Sequence, residues 1–273
     1  MTTITKFLND LYRYPEDRTV QPEEDVEQFL THWGFTIYRT YYGPDEQWSK
    51  LLKKITDGVE EGLTELDEAD EKPEAAAKAR DQFRLDARSD PTTLKNLTLE
   101  DVRQLYLDGS GGQPMNTDNR PWCLFLLADA QVLQDPDFRL LKAAAADYDP
   151  VAAVSKNTWS GPQRYFGWIT MQPTAVLDLY NELGMFLFKQ IVNLTSGGPG
   201  AFWDPMDDYY FLRLGLRRVE DIYQMSKSIR KPRHNIHYCQ LSFVRCVFFV
   251  RWKCIYMVTA KIAHPQLLIT SLM

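Results

Sequence analysis

Tyr38, Arg39, Tyr42, Trp122, Phe166 and Trp168 are the side chains whose types could together do chemistry without any local motif. Rings and one guanidinium, gathered between a sheet and its helices, orient a ligand and stabilise developing charge. They are the candidate ligand-binding set, as an enzyme's aromatic pocket or as plain aromatic packing. No catalytic residue is assigned. Asp204, Asp207 and Asp208 offer oxygen ligands for Mg²⁺ or Ca²⁺, but no glycine-spaced loop accompanies them, and Asp204-Pro205 reads as a solvated turn. His32 stands without a paired Ser or Cys and an orienting carboxylate, which is poor material for nucleophilic catalysis. Cys123 lies in the apolar run PWCLFLLA and reads as a buried, inert thiol. The Gly109–Gly112 run leads into Gln113-Pro114 and lacks the Lys-Ser/Thr element of a phosphate cradle. Neither a metal nor a cofactor is expected.

Arg164-Tyr165-Phe166-Gly167-Trp168-Ile169 is similar to the aromatic strand on which RNA recognition motifs stack splayed bases. Tyr165 stands where that motif has glycine. The chain also carries 37 acidic against 31 basic residues, and a net charge of −6 repels phosphate. Nucleic acid is therefore an unfavoured partner, and an unknown protein or small molecule the favoured one. The charge is unevenly placed. Asp221 is the last acidic residue, yet eight Lys and Arg follow it. His234, His237, Cys239, Cys246 and Cys254 invite a zinc reading that their spacing opposes, since the last two cysteines stand alone. Basic residues among the large apolar ones of 241–258 suit weak association with a membrane surface. A translated intron or shifted reading frame would produce the same abrupt loss of acids. We read 229–273 as such a tail.

The elements that must position these residues follow from periodicity. Gly34 to Gly43, dense in β-branched and aromatic residues, predicts a strand. Trp48, Leu51, Leu52, Ile55, Val59 and Leu63 recur at helical spacing. Helices are also expected from Pro22 to about Trp33, over 75–88, from a Thr98/Asp101 capping box to Leu107, over 173–183 and over 217–227. Strands are expected at 121–127, 151–155 and 165–171. Residues 1–30 read as an arm and helix, 31–228 as one α+β domain, and 65–97 as an insertion in it. Unequal spacing of strands and helices predicts an open sheet with helices packed mainly on one face, ferredoxin-like or a related sandwich. At 44% hydrophobic and 25% charged, the chain can bury one sizeable core. Charges in the first 18 residues and the lack of an 18-residue apolar run predict a cytoplasmic or nuclear protein without a signal peptide or membrane span, and four cysteines suit a reducing compartment.

The GFTIYRTYYG strand followed by a Trp48-containing helix, with PWCLFLLAD, YFGWITM and the FWDP segment at Phe202, resembles an uncharacterised family of filamentous-fungal (ascomycete) proteins. The resemblance covers residues 33–62 and later islands. It implies no activity and carries over no site residue. The leading functional expectation is a non-enzymatic binding or interaction protein.

Overall fold

The computed structural model describes residues 2–14, 26–153, 163, 165–195 and 198–205. The chain divides into two units, 1–214 and 215–273, and every described residue belongs to the first. The expected helix over 217–227 and the basic tail lie outside the described residues.

Helix α1 (Ile4–Asp10) is followed by β1 (Trp33–Arg39), α2 (Asp45–Glu65), α3 (Pro73–Gln82) and β2 (Phe83–Arg88). Next come α4 (Pro91–Leu94), α5 (Leu99–Asp108), β3 (Leu124–Ala128), α6 (Ala130–Leu133) and β4 (Leu141–Ala145). The chain then forms α7 (Pro150–Ala153), β5 (Trp168–Met171), α8 (Val176–Leu183), α9 (Phe188–Leu194) and β6 (Phe202–Trp203). The strands make one mixed sheet in the order β2-β1-β3-β4-β5-β6. β1 runs parallel to both β2 and β3, while β4 is antiparallel to β3 and β5. The fold is α+β. A ferredoxin-like unit finds no support in this order, because β1 has parallel neighbours on both sides, each reached through a helical crossover.

Alternation along the strands divides the core in two. Trp33, Phe35, Ile37, Leu124, Leu126, Leu141, Ala143, Ile169 and Met171 face the larger layer. They meet Ile4 and Phe7 of α1, the Trp48-Leu51-Ile55-Val59-Leu63 stripe of α2, and Leu179 and Leu183 of α8. Gly58 lets α2 approach closely, since a Cβ there would lie 2.6 Å from the Thr174 Cα. Trp33 is fully buried, donates Nε1–H to the Ala79 carbonyl at 2.7 Å, and has the rings of Phe7, Phe83 and Tyr180 at 4.9, 4.9 and 5.1 Å. The opposite face carries Tyr38, Phe125, Leu127 and Ala144 against Leu94 of α4 and Val102 and Tyr106 of α5. α5 opens on the expected capping box: Thr98 Oγ1 accepts from the Asp101 N–H at 3.2 Å, and Asp101 Oδ2 accepts from the Thr98 N–H at 2.9 Å. Helices thus cover both faces, the larger set on one.

Several local expectations are corrected. β1 ends at Arg39, not Gly43, because the Arg39 side chain turns the chain: Nε donates to the Tyr41 carbonyl, Nη2 to the Gly43 carbonyl and Nη1 to Asp45. The stretch 75–88 is helix only to Gln82. Phe83–Arg88 is the edge strand β2, so the segment read as an insertion contributes part of the sheet. Residues 150–153 form helix α7, capped by Asp149, where a strand was expected from 151; 154–155 lie outside the described residues. Of the helix expected from Pro22 to about Trp33, 22–25 lie outside the described residues, Val26–Phe29 is a 3₁₀ turn, and Trp33 already starts β1. β4 was not anticipated at all. Among the described residues no helix is long and apolar enough to cross a membrane.

Candidate binding cleft

The six candidate side chains do not converge on one concavity. Tyr38 is wholly buried on the smaller face, its hydroxyl without a hydrogen-bond partner and pushed by burial up to about 12, with the Arg88 guanidinium partly opposing. Arg39 is spent on the loop after β1, its guanidinium 4.7 Å from the Tyr42 ring centroid. The buried Tyr42 hydroxyl also lacks a partner. Trp168 borders the smaller core and has the Lys142 ammonium 5.2 Å from its ring. Trp122 lies on the other side, its ring tilted against that of Tyr180 and its Nε1–H donating to the Tyr180 carbonyl at 3.1 Å. Phe166 is half-buried in the turn before β5. Packing, and not solvent-filled space, surrounds most of these rings. Among the described residues no three of His, Cys, Asp and Glu are grouped to hold a metal ion.

A cleft forms elsewhere, from the antiparallel pairing of β3 with β4. Leu124 opposite Ala145 brings the start of one strand beside the end of the other. The segments that enter and leave there, 120–123 and 147–153, make two walls, and Tyr165 with Leu187–Lys189 at the start of α9 supplies the third. The cleft is half open to solvent, with a volume of about 280 Å³.

Its geometry is held from below by Arg103, which is 5% exposed. Nε donates to the Ala145 carbonyl at 3.0 Å, Nη2 to the Gly167 carbonyl at 3.2 Å and Nη1 to Glu100 at 2.8 Å. One buried cation thereby ties the end of β4 to the turn before β5, with its lone-pair partners supplied mainly by backbone. The same guanidinium lies 4.7 Å from the Tyr148 ring. Tyr148 meets Tyr165 edge-on at 5.3 Å, and Tyr165 meets Phe188 edge-on at 6.3 Å. Gly167 is required beside them: at φ +75° a Cβ would lie 2.2 Å from Tyr148 Cγ. Gln163 donates to the Tyr148 hydroxyl at 3.1 Å and to the Tyr165 carbonyl at 2.8 Å.

No family model, curated protein or solved structure matches this chain. The site therefore has to be read from its own chemistry.

The cleft floor is neutral. Burial pushes the Cys123 thiol up, Asp147 adds to the rise, and Arg120 opposes it. The Tyr165 hydroxyl rises for the same first reason, again with Asp147 contributing. A protonated, nearly enclosed thiol is an apolar surface here and a weak nucleophile. The rim is charged and exposed, with Arg120, Asp147, Asp149 and Lys189. Leu187 in the wall and Val151, next to the lining residue Ala152, are exposed at 62 and 82%. Of the cleft residues, sequence reasoning reached only Cys123, and read it as core. Arg120, Asp147, Tyr148, Tyr165 and Lys189 as a site were missed, Tyr165 having been weighed only for base stacking. The one local signal was Asp147-Tyr148-Asp149-Pro150, a turn with two acids and a ring directly after an alanine run.

Proposed function

We propose that this is a non-enzymatic binding protein that takes a small molecule in the cleft between β3, β4 and α9. The observation that carries the reading is a preformed concavity of about 280 Å³ whose floor is apolar and whose rim holds charges of both signs. Shape of that kind, with a few convergent polar groups, is what small-ligand recognition requires. The exposed apolar residues around the mouth extend the surface on which a ligand or a closing partner would rest. A reducing compartment, cytoplasmic or nuclear, belongs to this reading and is supported by the free, buried Cys123 thiol. Kinship with the ascomycete proteins is part of the proposal too, supported by a strand at Trp33–Arg39 followed by a helix containing Trp48.

The test is a thermal-shift screen of the full chain against metabolites, nucleotides and divalent metals, repeated on an Arg120→Met/Lys189→Met variant. A cleft ligand at a hundredfold its Kd raises Tm by roughly 5–10 °C in the parent and markedly less in the variant. A nucleotide or RNA that shifts both proteins equally would replace this reading with a nucleic-acid one.

A further inference from the structure

We infer that the ligand of this cleft is a free α-amino acid with an apolar side chain. The inference rests on the binding reading above and goes further by sorting the rim charges into those already used and those left over. Asp149 is used: its Oδ1 accepts from the Val151 and Ala152 N–H groups at 2.8 and 3.2 Å and so caps α7. Among the described residues the Asp147 side chain has no hydrogen-bond or ion-pair partner, and neither does the Arg120 guanidinium. Lys189 has no carboxylate partner among the described residues, only the face of the Tyr165 ring at 5.9 Å. One carboxylate and two cations thus line the same small space uncommitted, on segments that three separate parts of the fold bring together.

A ligand that satisfies both signs must itself carry both. A phosphate or a fatty acid would pair with Arg120 and Lys189 but set its charge against Asp147, and a simple amine would pair with Asp147 and face two cations. An α-amino acid presents an ammonium and a carboxylate on one carbon, so each rim charge gains an opposite partner and no like charge is forced close. The volume, just under the usual range for drug-sized ligands, suits a ligand as small as an amino acid. The remaining lining chooses the side chain. Leu124, Ala145, Phe188, the Tyr165 ring and the neutral Cys123 sulfur offer no charge to a polar side chain and an edge-to-face position to an aromatic one. The end of a peptide would bring only one of the two charges.

Isothermal titration of the full chain with L-phenylalanine, L-leucine and L-methionine tests this, beside N-acetyl-L-phenylalanine, L-phenylalanine amide and L-glutamate. Binding of the three apolar amino acids is expected, with each capped compound and glutamate weaker by about tenfold or more. Asp147→Asn should weaken the free amino acids and erase the penalty of the acetyl cap, whereas Arg120→Met/Lys189→Met should erase the penalty of the amide. All three side chains are solvent-exposed, so an unchanged melting temperature in the unliganded variants confirms that they fold. Capped compounds that bind as well as the free amino acids overturn the zwitterion. If a different compound binds in a way that these substitutions abolish, the amino-acid inference fails and the binding reading stands. If no compound in the screen or the titrations depends on the cleft residues, both fail.

Discussion

Replacing Gly167 by alanine adds one methyl group at the point where the cleft wall is tightest. Two costs are separable. The first is conformational: at φ +75° an L-residue pays about 1–2 kcal/mol that glycine avoids. The second is steric. The new Cβ would sit 2.2 Å from Tyr148 Cγ and 2.6 Å from its Cβ and Cδ2, the rigid base of the side chain, so Tyr148 must move. Moving it disturbs the edge-on pair with Tyr165 and the contact with Arg103, and overpacking of this kind costs about 1–3 kcal/mol. Gly167→Ala should therefore destabilise by about 2–5 kcal/mol. Gly111 supplies the control, since it has φ +80° but nothing within 4 Å of its Cβ position, so Gly111→Ala carries only the first cost, about 1–2 kcal/mol. Urea unfolding of the two variants and the parent, with slopes checked for constancy, reads the difference of about 1–3 kcal/mol directly. Equal midpoints for the two variants would mean that Tyr148 does not pack on the Gly167 turn, and the described cleft wall would be wrong.

Alkaline stability follows from Tyr38. Its folded-state pKa of about 12 lies above the ordinary value of 10, so its contribution is complete below pH 10 and is lost as pH rises towards and through 12. Tyr106 and Tyr180, raised by burial, act in the same direction. Urea midpoints should fall over that window, and Tyr38→Phe, which removes a buried hydroxyl that has no partner, should flatten the fall while costing little at neutral pH. Trp33→Ala should cost about 3–5 kcal/mol in urea unfolding, and Trp33→Phe less, because the ring cluster is partly kept while the bond to Ala79 is lost. Iodoacetamide should modify Cys123 far more slowly than free cysteine at neutral pH, as followed by peptide mass mapping, and denaturant should remove the protection.

Legibility of the sequence tracked how local the cause was. β1 and α2 could be read because their patterns are carried by neighbours in the chain: alternating rings in one, a three-and-four stripe in the other. The capping box at Thr98 is likewise a four-residue matter. β4 is not local. Leu-Lys-Ala-Ala-Ala has the composition of a helix, and it is a strand because it pairs antiparallel with both β3 and β5. β2, Phe-Arg-Leu-Asp-Ala-Arg, shows no buried face because it lies at the sheet edge with partly exposed residues on both sides. The cleft was the least legible feature. Its walls come from four distant stretches, and no spacing along the chain records that Asp147 and Lys189 line the same space. The aromatic set does not gather for the same reason in reverse: strand parity turns Tyr38 to the smaller core, while Trp122, in the turn before β3, packs against the larger one.

The parallel neighbours of β1 also govern when the molecule can come together. Trp33–Arg39 is synthesised before both of its hydrogen-bonding partners, Phe83–Arg88 on one side and Phe125–Ala128 on the other. A nascent chain therefore holds Phe35 and Ile37 in an incomplete layer until residue 128 has left the ribosome, and closing those long loops comes before any reward in pairing. Assembly of this sheet waits for its third strand, and a growing chain stalled before that point is the form most in need of a chaperone.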